Sequence, residues 1–562
     1  LVGSEMCIRD RSPPHVQDVL RQTGPGGAHL ALLEWCLSQF SFPDRDALLS
    51  HMPSGFPFVG EVPITPSAPP HLVRDFELSH ESMRAQSPDI AEALISCQSK
   101  FDPTDEDQAS MTTDIFQQTL EDQSKGRISS FIDPRKRSWA RCPPSRRFGV
   151  KQRTSKGVYK IRCIDDFAAS KVNGLMRVSR KIRMGRLRDV VLACKILIKA
   201  RPSCALSFMK SDFKSAYRAC PICTEHLDFS WILVRDPISH RVLAAVQFAM
   251  PFGAVSAVYA WDRLGEALVS ILRHFLVLPI ARYVDDIFTV DYSILAAQTR
   301  LQVLEIISLL GFTLEESKTP PPSPSMEILG SDASLQCARV PSDSWRLSVS
   351  IADAKRDFWL EELVALEQSA YPDVLAVQRM AGRLQFACVS TWGSHIVARL
   401  RSFYAFICRG GGLPGSSFAR DLRWWRWWLS SNPPFQSVLG PQSRPVHILY
   451  TDAEGSGGLG VVDDSSSTYV LDHAPSTFYD RLFTRRTQIL PLELVAVYMA
   501  LQIYGKRRRG SQFIVFVDNT AALASLSKGA SRAPDVNNFC LLYTSDAADD
   551  SLRVDLGGRR II

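Results

Sequence analysis

The four residues Tyr283-Val284-Asp285-Asp286 constrain this chain more than any other stretch. Two adjacent carboxylates sit between the apolar runs Leu276–Ala281 and Ile287–Val290. Short apolar runs of this kind predict strands. Neighbouring side chains on a straight strand point to opposite faces, so both acids can serve one place only at a tight turn. Clustered like charges are costly unless a cation neutralises them. An Asp-Asp pair at the tip of an apolar hairpin therefore points to a magnesium site. Taken alone, the four residues fit an Asp-rich surface turn equally well.

A third acid separates the two readings. Asp212 ends a strand-like approach through Leu206, Phe208 and Met209. Two-metal phosphoryl transfer needs carboxylates from separate strands converging on cations roughly 3.5–4 Å apart. A strand-end Asp followed downstream by an Asp-Asp hairpin supplies that set.

With these residues in hand, the chain resembles a reverse transcriptase. Asp212 matches the first palm motif of that family and Tyr283–Asp286 its YxDD box. Met250-Pro251-Phe252-Gly253 is similar to the MPFG segment of retrotransposon polymerases, and Lys160–Phe167 with Lys171-Val172-Asn173 to the fingers hairpin. Leu310–Leu314 with Lys318 is similar to the next palm motif, and Ile328-Leu329-Gly330 to the primer-grip strand. Ser256-Ala257 departs from the Ala-Pro that many relatives carry after the MPFG segment. The resemblance implies that Asp212, Asp285 and Asp286 bear two Mg2+ ions, with Mn2+ as an alternative. It implies that Arg162 grips the triphosphate, that Phe213, Phe252 and Gly253 line the nucleotide pocket, and that Lys318 protonates the departing pyrophosphate. Tyr217, five residues after Asp212, would block a ribose 2′-hydroxyl, the atom that distinguishes RNA from DNA.

A second set of acids lies near the C-terminus. His447–Asp452 is a short apolar strand ending in an acid, Glu493 lies in the helix-like run Leu490–Leu501, and Phe513–Val517 leads into Asp518-Asn519. Carboxylates from a strand, a helix and a strand suit a two-metal nuclease. The pattern resembles ribonuclease H, with Asp452, Glu493 and Asp518 as its first three acids and metal ligands. Asp518–Ala522 with Lys528-Gly529 resembles the DIRS group, the retrotransposons that carry a tyrosine recombinase, and to a lesser degree pararetroviruses. No fourth acid is found. Residues 1–11 and 540–562 resemble translated sequencing adapters, which belong outside fold reasoning. On that reading the genuine chain runs from about Ser12 to Phe539 and is cut at both ends, which leaves its nuclease activity open.

The chain carries a net charge of +7, and its basic residues cluster. Arg135, Lys136, Arg137, Arg141, Arg146, Arg147, Lys151, Arg153 and Lys156 form one block, and Arg177, Arg180, Lys181, Arg183, Arg186 and Arg188 another. Beside a polymerase core such blocks are expected to meet phosphate backbones. Lys506–Arg509 suits either a hybrid contact or a nuclear-targeting patch. The scattered cysteines suit reduced thiols, and Cys220-Pro221-Ile222-Cys223 lacks the further ligands of a zinc site. No uninterrupted apolar run is long enough to span a bilayer, since Arg273-His274 breaks the best candidate.

The expected fold is multidomain α+β. A right-hand polymerase, with an antiparallel palm sheet and a helical thumb and connection, precedes a truncated ribonuclease H-like α/β domain. The expected boundaries are 12–125 for an N-terminal region of open role, 126–335 for fingers and palm, 336–440 for thumb and connection, and 445–539 for the nuclease-like domain. Trp424, Trp425, Trp427 and Trp428 are read as a helix packing on the connection. The expected activity is RNA- and DNA-directed DNA synthesis by a retrotransposon enzyme, in the cytoplasm or nucleus. Its partners would be an RNA template, a DNA primer, an RNA–DNA hybrid and dNTPs, with no membrane and an open oligomeric state. The alternatives are an inactive relic that binds nucleic acid and, less favoured, an RNA-templated RNA polymerase.

Overall fold

The computed structural model describes residues 12–61, 72–100, 105–153, 159–179, 181–338, 344–390, 394–439, 445–480, 482–505, 507–508, 511–547 and 553–557. Lys156, Arg180, Lys506, Arg509, residues 1–11 and most of 548–562 lie outside them. The chain is mixed α+β and divides into two compact units, the first ending at Leu329 and the second beginning at Gly330.

In the first unit, the strand Leu206–Asp212 pairs antiparallel with Asp286–Tyr292, which pairs with Ala281–Tyr283. The register sets Asp212 opposite Asp286. The strand expected over Leu276–Ala281 is mostly something else: the helix Val255–Leu276 ends there, and strand begins only at Ala281. Val277 takes a left-handed φ of 52°, and Pro279 has no N–H to give a ladder. That helix buries Ala257, Ala260, Trp261, Leu264, Leu268 and Ile271, the i, i+3, i+4 recurrence of a core-facing stripe.

Residues 12–61, whose role the sequence left open, share this core. Val16, Leu33, Leu48 and Phe56 cluster with Trp261 and Leu268. Arg263 donates to both carboxylate oxygens of Asp44, at 2.6 and 3.1 Å. Gly311, at φ 80°, lies so close to Gly27 that a Cβ would fall 1.8 Å from its carbonyl oxygen.

The strands Ser145–Arg153 and Tyr159–Asp165 form the expected hairpin, with Arg147 opposite Asp165. Arg147 is 2% exposed, so it contacts no phosphate; this corrects its place in the basic block. It makes a two-pronged pair with Asp165 at 2.8 and 3.1 Å. Gln247 donates to the same carboxylate at 2.7 Å and accepts from Arg218 at 2.6 Å. Arg218 also reaches Asp122 on the helix Glu106–Ser124, at 2.8 Å. Burial pushes the Asp122 pKa up, but Arg218, Arg147 and Arg127 outweigh it and hold it down. Other members of the block are also engaged internally: Arg137 and Arg141 pair with Asp228, and Lys151 pairs with Asp107.

In the second unit, Ser331–Ala338, Ser344–Ile351 and Phe435–Val438 pair antiparallel. The helices Asp353–Gln368, Val374–Ser390, Arg401–Cys408 and Ser416–Ser431 share a core that includes Leu363, Leu384, Phe406 and Trp425. Trp425 and Trp428 are buried there, whereas Trp427 is 60% exposed; the packing expected of all four tryptophans fails for Trp427, which faces away on the same helix. A second sheet runs in the order Thr468–His473, Gly458–Asp463, Val446–Ala453, Gln512–Val517, Arg553–Gly557. Its first three strands are antiparallel and its last two join in parallel. The helix Pro534–Ala547 continues past the expected boundary at Phe539.

Removing one partner of a buried ion pair leaves an uncompensated charge and costs about 3–5 kcal/mol. Arg147→Met is therefore expected to lower the unfolding free energy of the first unit by that amount, while Lys151→Met, at an exposed pair, changes it by less than about 1 kcal/mol. Equal effects in a guanidinium titration would contradict the network's role.

Candidate active sites

The strand Leu206–Asp212 is buried along nearly its whole length and delivers Asp212 at its end. Past that point Phe213 N–H donates to the Asp285 carbonyl at 2.9 Å, and Glu315 N–H to the Asp212 carbonyl at 2.7 Å. The opposing turn is tight because Tyr283 pairs with Asp286 and Val284 adopts φ 54°. Positive φ is unusual for a β-branched residue, and here it brings neighbouring carboxylates to one side. Asp212, Asp285 and Asp286 each present an oxygen, and these oxygens lie within 4.8 Å of one another.

Burial and the Asp212 charge push the Asp285 carboxyl above its usual range. Burial with Asp212 and Asp285 pushes Asp286 up to about 7. Burial opposes the charged form of Lys318, but its hydrogen bond to Asp212 and the charge there outweigh that and hold its pKa up. The Lys318 Nζ donates to Asp212 Oδ2 at 2.8 Å. One ammonium against three crowded carboxylates leaves negative charge uncompensated, and an oxygen-rich set of this kind suits Mg2+ or Mn2+.

The structure also locates the other five expected residues. The Tyr217 and Phe252 rings meet at 5.0 Å and 60°. Burial, then the Asp285 charge, raises the Tyr217 pKa, and the charge of Arg162 opposes this. Arg162, exposed on the strand Tyr159–Asp165, also acts by its charge to lower the Asp285 pKa. Gly253, at φ 107°, leaves only 2.0 Å between a would-be Cβ and the Asp165 carbonyl oxygen, so no side chain fits. Phe213 is buried beneath the site against Trp261, ring centroids 5.2 Å apart. It supports the acids from below, whereas the resemblance placed it in the nucleotide pocket.

Sequence reasoning gave Asn173 no role, yet it fixes the Phe252-Gly253 turn. Its amide donates to the Gly253 carbonyl and accepts from Val255 N–H, both at 3.0 Å. Ser256-Ala257 lies in the first turn of Val255–Leu276.

In the second unit, Asp452 lies near the end of Val446–Ala453, Glu493 lies on the helix Ile489–Ala500, and Asp518 follows Gln512–Val517. Their oxygens also lie within 4.8 Å of one another. Glu493 is 2% exposed. Burial, then Asp518 and Asp452, push it up to about 8. Its Oε2 is buried and has no hydrogen-bond partner among the described residues, an orphan acceptor that a cation would satisfy. Asn519 is a helix cap: its side chain accepts from Ala521 and Ala522 N–H, both at 3.0 Å. Arg508 pairs with the buried Asp463 and bonds His447 at 2.9 Å, so it is fixed within the unit; this corrects its reading as a hybrid or targeting contact.

No protein-family model matches the chain, and no curated protein matches it. It is similar to a solved foamy viral protease-reverse transcriptase in complex with double-stranded DNA, at 13% identity and a TM-score of 0.43, covering 95% of this chain and 82% of that one. A second such complex gives 13%, 0.42, 95% and 98%. A foamy viral protease-reverse transcriptase with an RNA/DNA hybrid gives 13%, 0.42, 94% and 63%.

The raised acids fix the sign of a pH effect. Without divalent metal, folding takes up protons on Asp286 and Glu493, so their contribution to stability is complete below the unfolded carboxylate range. It is lost as pH rises through about 7 for Asp286 and about 8 for Glu493. Mg2+ competes with those protons, so the Mg2+-dependent rise in Tm is expected to be negligible near pH ~5 and largest above pH ~8. A rise independent of pH across that range would contradict the reading.

Proposed function

We propose that the chain is a template-directed DNA polymerase using RNA and DNA templates, encoded by a retrotransposon, with its catalytic acids in the first unit, and that the second unit also carries a ribonuclease H-like site. The observation that carries the first reading is the meeting of Asp212 with Asp285 and Asp286 within 4.8 Å. Lys318, Arg162, Tyr217 and Phe252 stand around the same acids. In this reading Asp212, Asp285 and Asp286 hold two divalent cations. Bound there, such ions supply an activated primer 3′-hydroxyl and stabilisation of the charge that builds on the transferring phosphate. Arg162 orients the triphosphate of an incoming nucleotide. Lys318 holds a proton at Nζ for the leaving pyrophosphate. The Tyr217 ring, braced by Phe252, fills the space a ribose 2′-hydroxyl would need, which favours DNA synthesis over RNA synthesis.

The polymerase segments in this proposal are fingers and palm at 126–335 and thumb and connection at 336–440, with the nuclease-like part at 445–539. Asp452, Glu493 and Asp518 are the nuclease ligands. The orphaned Oε2 of Glu493 supports a cation there. Its partners are a template, a primer, a hybrid and dNTPs.

Asp285→Asn removes one ligand charge at nearly constant shape. It is expected to abolish Mg2+-dependent primer extension, by at least about 10³-fold, with primer–template binding retained. Wild-type extension by that variant would refute the assignment.

Tyr217→Ala is expected to raise rNTP use relative to dNTP by about tenfold or more. An unchanged ratio in single-nucleotide incorporation would remove Tyr217 from the discrimination.

A further inference from the structure

We propose that Trp261 is a positioning residue that holds both halves of the acid cluster from beneath; this deepens the polymerase reading and rests on it. The decisive position is Val284. Its φ of 54° is unfavourable for a β-branched residue and persists only where the surroundings impose it. Its carbonyl receives two donors, Trp261 Nε1 at 2.7 Å and Arg282 Nη1 at 3.0 Å. Its N–H donates to Met184 Sδ at 3.4 Å. Both backbone polar groups of Val284 are thus held by side chains from outside the turn.

Trp261 does more than donate. Its ring lies edge-on to Phe213 at 5.2 Å, and Phe213 follows Asp212. One indole therefore touches the neighbour of Asp212 and the neighbour of Asp285. Trp261 is 1% exposed and Arg282 3%, so neither bond competes with water.

The helix Val255–Leu276 is shaped for this. Asp262, beside Trp261, accepts from Arg282 Nη2 at 2.5 Å and so neutralises that buried guanidinium. Gly265, one turn on, leaves room for both side chains: a Cβ there would lie 3.2 Å from the Trp261 ring and 3.3 Å from Arg282. On the far side, Gly185 N–H donates to the Arg282 carbonyl at 2.6 Å, tying the Met184-Gly185 segment to the edge of the hairpin. The acids face their cleft from a turn fixed by one helix and one loop.

Trp261→Phe keeps an aromatic ring but removes the indole's five-membered ring with its Nε1 donor, so it tests the claim in the full chain. Hydrogen–deuterium exchange of the metal-free chain is expected to speed up about tenfold in a peptide covering 281–288, with exchange in Ser145–Asp165 unchanged. Mn2+ affinity is expected to weaken about tenfold. The kcat of primer extension is expected to fall about 10- to 100-fold, with KM for dNTP within about twofold. Val284→Gly added to Trp261→Phe is expected to restore part of the Mn2+ affinity, because glycine takes positive φ without strain. Gly265→Ala, which crowds the same two side chains, is expected to act in the same direction and carries the test if Trp261→Phe does not fold. Unchanged local exchange and Mn2+ affinity in both variants would overturn the proposal, as would acceleration spread evenly through the first unit without rescue by glycine. Should the wild-type chain bind Mn2+ and not extend primers, the polymerase reading fails, and the exchange and Mn2+ measurements still decide the role of Trp261.

Discussion

The controlling interaction is a repulsion. Asp212, Asp285 and Asp286 crowd their oxygens within 4.8 Å, and nothing in a folded chain gains from that unless positive charge is brought in. Lys318 offers one charge, at 2.8 Å. The backbone supplies the rest of the constraint: Asp212 is opposite Asp286 in the ladder, and the amide after Asp212 is bonded to the Asp285 carbonyl. Sheet pairing pushes the acids together, and the shifted acids register the cost. The second unit repeats the arrangement with Glu493 as its buried member.

Around the first cluster the molecule uses buried charge as mortar. Asp122, Arg147, Asp165, Gln247 and Arg218 join the helix Glu106–Ser124, the hairpin Ser145–Asp165 and the segments that carry Arg218 and Gln247. Asp165 is also the residue whose carbonyl excludes a side chain at Gly253, and its N–H donates to the Phe252 carbonyl at 2.9 Å. The network that holds the hairpin thus reaches the Phe252-Gly253 turn through shared backbone. Such pairs are seldom worth more than a well-packed apolar replacement; here they fix where strands of different origin meet.

What the sequence made legible follows from local chemistry. An apolar run ending in an acid locates Asp212, Asp452 and Asp518 on strand ends, because β periodicity and strand termination are local properties. The motifs named Tyr217 and Phe252 together, and their rings meet at 5.0 Å. Long-range pairing stayed hidden. Arg147 reads as one more member of a basic block, and only its register with Asp165 shows it to be interior. Arg508 reads as a surface arginine until Asp463 is found beside it. Residues 12–61 carry no motif, so their place in the core could not be read. The Leu276–Ala281 run looked like a strand because apolar content alone does not separate a helix end and a loop from a strand; Pro279 was the available signal.

The claim at the centre is that three carboxylates bind two cations in one cleft. Anomalous diffraction from crystals grown with Mn2+, a primer–template and a non-reacting dNTP analogue addresses it without reference to turnover. The account predicts two Mn2+ peaks, roughly 3.5–4 Å apart, each bridged by oxygens of Asp212, Asp285 or Asp286. A map with Mn2+ elsewhere in the first unit and none at these residues would contradict it.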